Sequence, residues 1–221
     1  MCSGRVDLAF ILRAFSNGMD GVFIGGCRLK ECNYITHGNY HALSMVLLCR
    51  KIMDHIGLNP ERLRIQFLSS GEGLLLAEVI NAFSRQVEEM GPFGKSEGID
   101  QKGLKLKLEA VTQLVPYFKL LERERLRLPF QSEEEYKRFF ASEELDRLFK
   151  ELVVDKLALS QIMLLLKEKP LSTGEISAVL GLSPSDVSRH LNNSSRFGLI
   201  RYDESRQRFA LAQATGAGAQ P

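Results

Sequence analysis

Cys27 and Cys32 stand in GGCRLKEC, a C-x4-C spacing entered through two glycines. Thiolates are soft, strongly donating ligands. Two at this separation can grip one iron or neighbouring irons of a cluster, with Gly25 and Gly26 allowing close backbone approach to sulfide. The spacing alone leaves a second reading open, a pair of cysteines packed at i and i+5 of a helix. Cys2, in MCSGRVD, adds a third thiol in a turn beside the point where Cys27 leaves the first visible strand. Sites in open α/β sheets gather outside the carboxyl ends of strands, so three thiols are expected to converge on one edge. Cys49, in VLLCRKI, falls where a helix needs a small apolar side chain and reads as core.

Polar residues near these thiols have bland and functional readings. His37 and His41 flank the GNY turn in THGNYH, where they could hydrogen-bond cluster sulfurs or hold iron through imidazole. A capping or surface role is the expectation, because most histidines are ordinary hydrogen-bonding residues. Arg5, near Cys2, either stabilises a negatively charged reduced centre or pairs with Glu31 or Glu72. The chain carries no GxGxxG, phosphate loop or Ser/His/Asp order that would point to nucleotide binding or hydrolysis.

The elements that must position the cysteines follow from periodicity. Asp7 caps a helix to about Asn17, Gly21 to Ile24 forms a short buried strand, and apolar spacing predicts a helix over Tyr40 to Ile56. Leu63 to Leu68 reads as a second strand, and Leu74 to Met90 as an amphipathic helix stopped by Gly91-Pro92. The alternation predicts a parallel α/β module over residues 1–91. Two strands rarely make a sheet alone, so the residues before Met1 are expected to supply the preceding strand.

Residues 92–103, rich in glycine and polar side chains, are the expected linker, followed by a helical connector over 104–154 in which Pro116 divides or kinks a helix. One helix is expected from Glu133 to Leu152. Over 155–212 three helices and an alternating hairpin resemble a winged helix-turn-helix domain, with Ser172 and Glu175 as a capping box, and 213–221 reads as a disordered tail.

Bulk composition is that of an ordinary globular protein, 44% hydrophobic, with 29 Lys and Arg against 27 Asp and Glu. A net charge of +2 selects neither a nucleic-acid coat nor an acidic tail. Apolar runs stop well short of the roughly 20 residues that span a bilayer. The start lacks a secretory pattern, which places the protein in the cytoplasm, where its four cysteines read as thiols or metal ligands before disulfides.

MCSGRVD, DGVFIGGCRLKECNY, GNY at Gly38 to Tyr40 and LSSGEG at Leu68 to Gly73 occur in this order across most of residues 1–91. Together they resemble the methyl-viologen-reducing hydrogenase delta subunit family. The resemblance implies a [2Fe-2S] cluster, with Cys2, Cys27 and Cys32 as ligand candidates. It also implies electron transfer from a hydrogenase or dehydrogenase subunit to a flavin- and iron-sulfur-containing heterodisulfide-reductase-like subunit, without substrate chemistry of its own. Family members begin with a unit bearing a C-x-W-C-like motif, which this tryptophan-free sequence lacks, so the fourth ligand is expected from a partner or from sequence before Met1. Some members carry selenocysteine there, and its codon read as a stop would make a gene model restart at Met1. An upstream frame with no such motif across a UGA codon would sink that idea.

A function from another class is a redox-responsive transcription regulator. Arg189, His190 and Asn193 on the third winged-domain helix, with Arg201, Arg206 and Arg208 on the wing, could dock DNA or a protein partner. Residues 155–221 hold eight Lys and Arg against six acids, a thin electrostatic footprint for DNA.

Overall fold

Val22, Phe23 and Ile24 favour extended backbone, and the strand they begin, β1 (Val22–Cys27), runs on through both glycines to the first cysteine of the C-x4-C pair. A computed structural model describes residues 2–34, 38–126 and 128–212 and divides the chain into two units, one ending at Phe149 and one starting at Lys150. In the first, β1 pairs in parallel with β2 (Leu63–Leu68), setting Gly26 against Phe67 and Cys27 against Leu68. The strand is three residues longer than expected at its glycine end. The Phe67 ring supplies the reason, since a Cβ on Gly26 would meet it at 3.0 Å. The mixed helix-and-strand architecture with a small parallel sheet agrees with the expected α/β class.

The connection between the strands is α2 (Asn39–His55), which buries Ala42, Leu43, Val46, Cys49, Ile52 and Met53. Before the sheet comes α1 (Leu8–Ser16), whose first turn is closed by Asp7 accepting from the Ala9 N–H at 2.9 Å. Leu8, Ile11, Leu12 and Phe15 form its buried stripe. After β2, α3 (Gly73–Met90) buries only Phe83.

The segment expected as a linker, 92–103, is packed onto the α/β module. Its anchor is Arg62, wholly buried at the start of β2, whose guanidinium donates to Glu97 at 2.5 Å and to the carbonyls of Gly91 at 2.8 Å and Asp20 at 3.0 Å. Phe93 stacks on Phe15 at 4.7 Å. Then follow α4 (Gln101–Gln113) and α5 (Val115–Leu121), divided ahead of Pro116. The single helix expected over Glu133 to Leu152 is instead α6 (Glu133–Phe140) and α7 (Glu143–Phe149). Ser142 breaks it, its hydroxyl donating back to Phe139 O at 2.7 Å and accepting the Leu145 N–H at 3.2 Å.

The second unit is a winged helix-turn-helix. α8 (Asp155–Glu168), α9 (Thr173–Leu180) and α10 (Pro184–Arg196) lead into the antiparallel hairpin β3 (Ile200–Asp203) and β4 (Arg208–Leu211). The Ser172–Glu175 capping box forms, and Ile162, Leu166, Leu171, Ile176, Val187, Leu191 and Ile200 make the core. No helix among the described residues is long and apolar enough to cross a membrane.

His190 gives this unit a pH dependence. It is buried on α10, with Asp155 at 3.6 Å and Arg189 and Asp186 beside it. Burial holds its imidazole below the ordinary 6.5 despite the opposing pull of Asp155. The unfolded chain thus takes up the proton first, so stability present above pH 6.5 is lost as pH falls through and below that value. We expect the thermal midpoint of the second unit to drop on acidification through this range, and to drop less in His190→Gln. Equal slopes in the two full-length proteins would refute it.

Candidate metal centre

The first cysteine precedes a single 3-10 turn, Ser3–Arg5, closed by the Arg5 N–H donating to Cys2 O at 3.0 Å and the Val6 N–H to Ser3 O at 2.9 Å. This turn lies against β1: a Cβ on Gly26 would come within 2.9 Å of Ser3 Oγ. Cys27 ends β1, and the chain turns at Lys30, whose φ of 73° is carried without glycine. Cys32 follows, buried, and its Sγ lies 3.7 Å from Cys2 Sγ. Thiols thirty residues apart are thus neighbours, and Cys27 interacts electrostatically with both.

Each thiol has its own surroundings. Partial desolvation, and then the neighbouring Cys32 and Cys2 sulfurs, push the Cys27 thiol up although the residue is exposed overall. Burial also acts to raise Cys32, but N–H groups of Tyr34 and Asn39 and the thiols of Cys27 and Cys2 outweigh it and hold Cys32 below the ordinary value. A thiol held down in this way suits a metal-binding thiolate. Cys49 is enclosed in α2 with its pKa pushed up to about 12 by burial, the behaviour of a core side chain.

The turn after β2 braces the cysteine loop from the other strand. Glu72 pairs with Arg28 and accepts the Ser69 N–H at 2.7 Å, and the Ser69 hydroxyl donates to Glu31 at 2.8 Å. Both acids considered for Arg5 are thus engaged by this brace. Arg5 lines a cavity of about 610 Å³ with His41, Met45, Phe118 and Glu122. His41 lines the same cavity, its Nδ1 standing 3.1 Å from Glu122 Oε1. His37 lies outside the described residues. Gly25 has only the Phe23 ring near its Cβ position, at 4.0 Å.

Gly38 and Asn39 also adjoin the cysteines, which thiol spacing does not reveal. A Cβ on Gly38 would sit 2.3 Å from Cys32 Sγ and 2.5 Å from Tyr34 O. Asn39, wholly buried at the first position of α2, donates through Nδ2 to the carbonyls of Cys27 at 2.9 Å and Arg28 at 2.7 Å. A glycine-asparagine pair opening a helix just after the cysteines was the available signal.

Among the described residues, no three His, Cys, Asp or Glu side chains stand in a metal-holding arrangement. The donor set fits an iron-sulfur group in kind: three soft thiols at one sheet edge, a glycine cradle, and the unpartnered Ser3 Oγ and Asn39 Oδ1. Three thiols fall one short of the four that hold a [2Fe-2S] cluster.

On the second unit, the side chains considered for DNA are unevenly free. Arg189 forks onto Asp155 with two contacts of 3.2 Å and reaches Asp186, and Arg208 pairs with Glu175 at 2.8 Å. His190 is buried, whereas Asn193, Arg201 and Arg206 are exposed.

Residues 1–91 match the family model described as methyl-viologen-reducing hydrogenase, delta subunit, and residues 160–202 match that of bacterial regulatory protein, arsR family. The chain is 46% identical over 92 residues to the iron-sulfur subunit of the F420-non-reducing hydrogenase of Archaeoglobus profundus, covering 42% of this chain and 66% of that protein. To one subunit of the ferredoxin/F420H2-dependent CoB-CoM heterodisulfide reductase of Methanosarcina acetivorans it is 44% identical over 94 residues, 42% of this chain and 12% of the relative. It is 34% identical over 91 residues to the vhu iron-sulfur subunit of the F420-non-reducing hydrogenase of Methanococcus maripaludis, spanning 41% of this chain and 67% of the relative. With its cysteine turn, C-x4-C loop and parallel strand pair in the matched region, the chain belongs to the methyl-viologen-reducing hydrogenase delta subunit family.

Proposed function

We propose that the first unit is a cytoplasmic electron relay, holding a [2Fe-2S] cluster through Cys2, Cys27 and Cys32 with a fourth ligand from a partner or from sequence before Met1. It takes electrons from a component of a hydrogenase or dehydrogenase and passes them to a heterodisulfide-reductase-like flavoprotein, and it performs no bond-making chemistry on a substrate. The observation that carries this reading is the convergence of the thiols at one sheet edge, with Cys2 and Cys32 in sulfur contact at 3.7 Å. The cluster would supply one-electron storage. The protein's share is to hold the sulfurs, limit water access and set the potential through hydrogen bonds. Kinship with components of both a heterodisulfide reductase and hydrogenases supports a position between such partners.

The test is iron and acid-labile sulfide on native protein purified anaerobically with the subunits it retains, with an EPR spectrum after dithionite reduction. About two irons and two sulfides per chain more than the Cys32→Ser preparation holds, with a reduced-state signal lost in that variant, is the expected result. Metal-free, full-length protein with every thiol titratable would overturn it.

A second reading, a redox-responsive DNA-binding regulator, is favoured by the arsR-type match alone. Against it, Arg189 and Arg208 are committed to carboxylates within their own unit. Salt-sensitive, sequence-specific binding to the protein's own promoter would establish it, and loss of the contact in Arg201→Ala with Arg206→Ala would locate it on the wing.

A further inference from the structure

Among the described residues, two buried side-chain polar atoms lack a partner, Ser3 Oγ and Asn39 Oδ1, and both adjoin the cysteines. Buried polar groups in folded proteins are nearly all paired, so a clustered pair of orphans calls for a local explanation. Asn39 supplies half of it. Its Nδ2 reaches two carbonyls, Cys27 O at 2.9 Å and Arg28 O at 2.7 Å, and lies 3.8 Å from Cys27 Sγ. Those carbonyls fix the amide's orientation, because turning it over would set Oδ1 against two oxygens. The orphaned Oδ1 is the consequence of directing both N–H groups at the strand end. Ser3 supplies the other half: it follows Cys2, and its hydroxyl is packed at Gly26, the residue before Cys27.

We propose that Asn39 and Ser3 are the positioning residues of the iron-sulfur site, Asn39 tying the end of β1 to the start of α2 with an N–H shared between a carbonyl and Cys27 Sγ at 3.8 Å, Ser3 holding an unpaired hydroxyl in the turn after Cys2, and both raising the reduction potential of the bound centre. This inference rests on the relay reading above. Reduction adds one electron to the centre and moves no proton. The added negative charge is stabilised by N–H and O–H dipoles near sulfur, so their removal lowers the potential. Cys27 is exposed while Asn39 is wholly buried, so the amide shields the inner side of a sulfur that water reaches from outside.

Asn39→Leu keeps the side-chain bulk and removes every donor, and Ser3→Ala removes a single hydroxyl. Both are to be purified as native full-length protein with retained subunits, assayed for iron and sulfide, and titrated with dithionite under EPR. In Asn39→Leu the one-electron reduction equilibrium should shift about tenfold toward the oxidised form, about 59 mV. Ser3→Ala should shift the same way by less. Loaded variants with the wild-type potential would overturn the inference and leave the relay reading intact. Should Asn39→Leu retain no iron, Ser3→Ala decides: a lowered potential supports the proposal and an unchanged one overturns it. Iron-free wild-type protein would overturn the relay reading, and this inference with it.

Discussion

Gly38→Ala is expected to strip the protein of iron while leaving it folded. A methyl group there would lie 2.3 Å from Cys32 Sγ and 2.5 Å from Tyr34 O, both closer than real Cβ contacts come. The carbonyl is backbone and cannot swing aside, and Cys32 is buried, so the sulfur must leave its position beside Cys2. An overpacking cost of about 1–3 kcal/mol, placed on a metal ligand, weakens iron retention roughly fivefold to a hundredfold. Gly174→Ala, in the second unit, where a Cβ meets nothing within 4 Å, should keep its iron and serves as the control. Iron per chain and far-UV circular dichroism of both variants make the measurement. A folded Gly38→Ala protein with full iron would show that the cradle does not hold Cys32.

Arg62→Met should produce the largest loss of stability of any single substitution considered. The guanidinium is wholly buried and meets Glu97, whose side chain is 9% exposed, and three backbone carbonyls. Burying such a pair is costly in itself, but removing one partner strands a buried carboxylate and costs about 3–5 kcal/mol. Three carbonyls lose a donor at the same time. The expected result is a lower urea midpoint for the first unit and faster amide hydrogen exchange across Met90 to Ile99. The wild-type midpoint in Arg62→Met would refute the anchor. Combining it with Glu97→Leu should recover part of the loss, because no lone charge then remains. The second unit, with its own core, should unfold as in the wild type.

Much of the secondary structure was legible because its signals are local. Asp7 closes α1, Ser172 and Glu175 form their capping box, and Pro116 marks the division between α4 and α5. Each depends on residues within one turn. The break between α6 and α7 was not read, since Ser142 is an unremarkable residue until its hydroxyl turns back onto Phe139 O. Residues 92–103 looked like a linker for the same reason. Glycine and polar side chains signal a loop, and nothing local tells that Arg62, some thirty positions earlier, will take up Glu97 and the Gly91 carbonyl. The glycines of β1 resembled a loop until Phe67 of the neighbouring strand covered Gly26.

The cysteine pattern, by itself, determined the kind of chemistry: Cys27 and Cys32 at C-x4-C spacing, with Cys2 upstream, name soft ligands and exclude little else. Ligand type is a property of the side chain, so sequence suffices for it. Whether Cys2 meets Cys32, that His41 turns to Glu122, and that Asn39 and Ser3 frame the strand end were decided only by the tertiary structure. Those contacts join residues more than twenty positions apart, or turn on which way a buried amide faces. Both follow from how β1, β2 and α2 pack, and no local pattern encodes that.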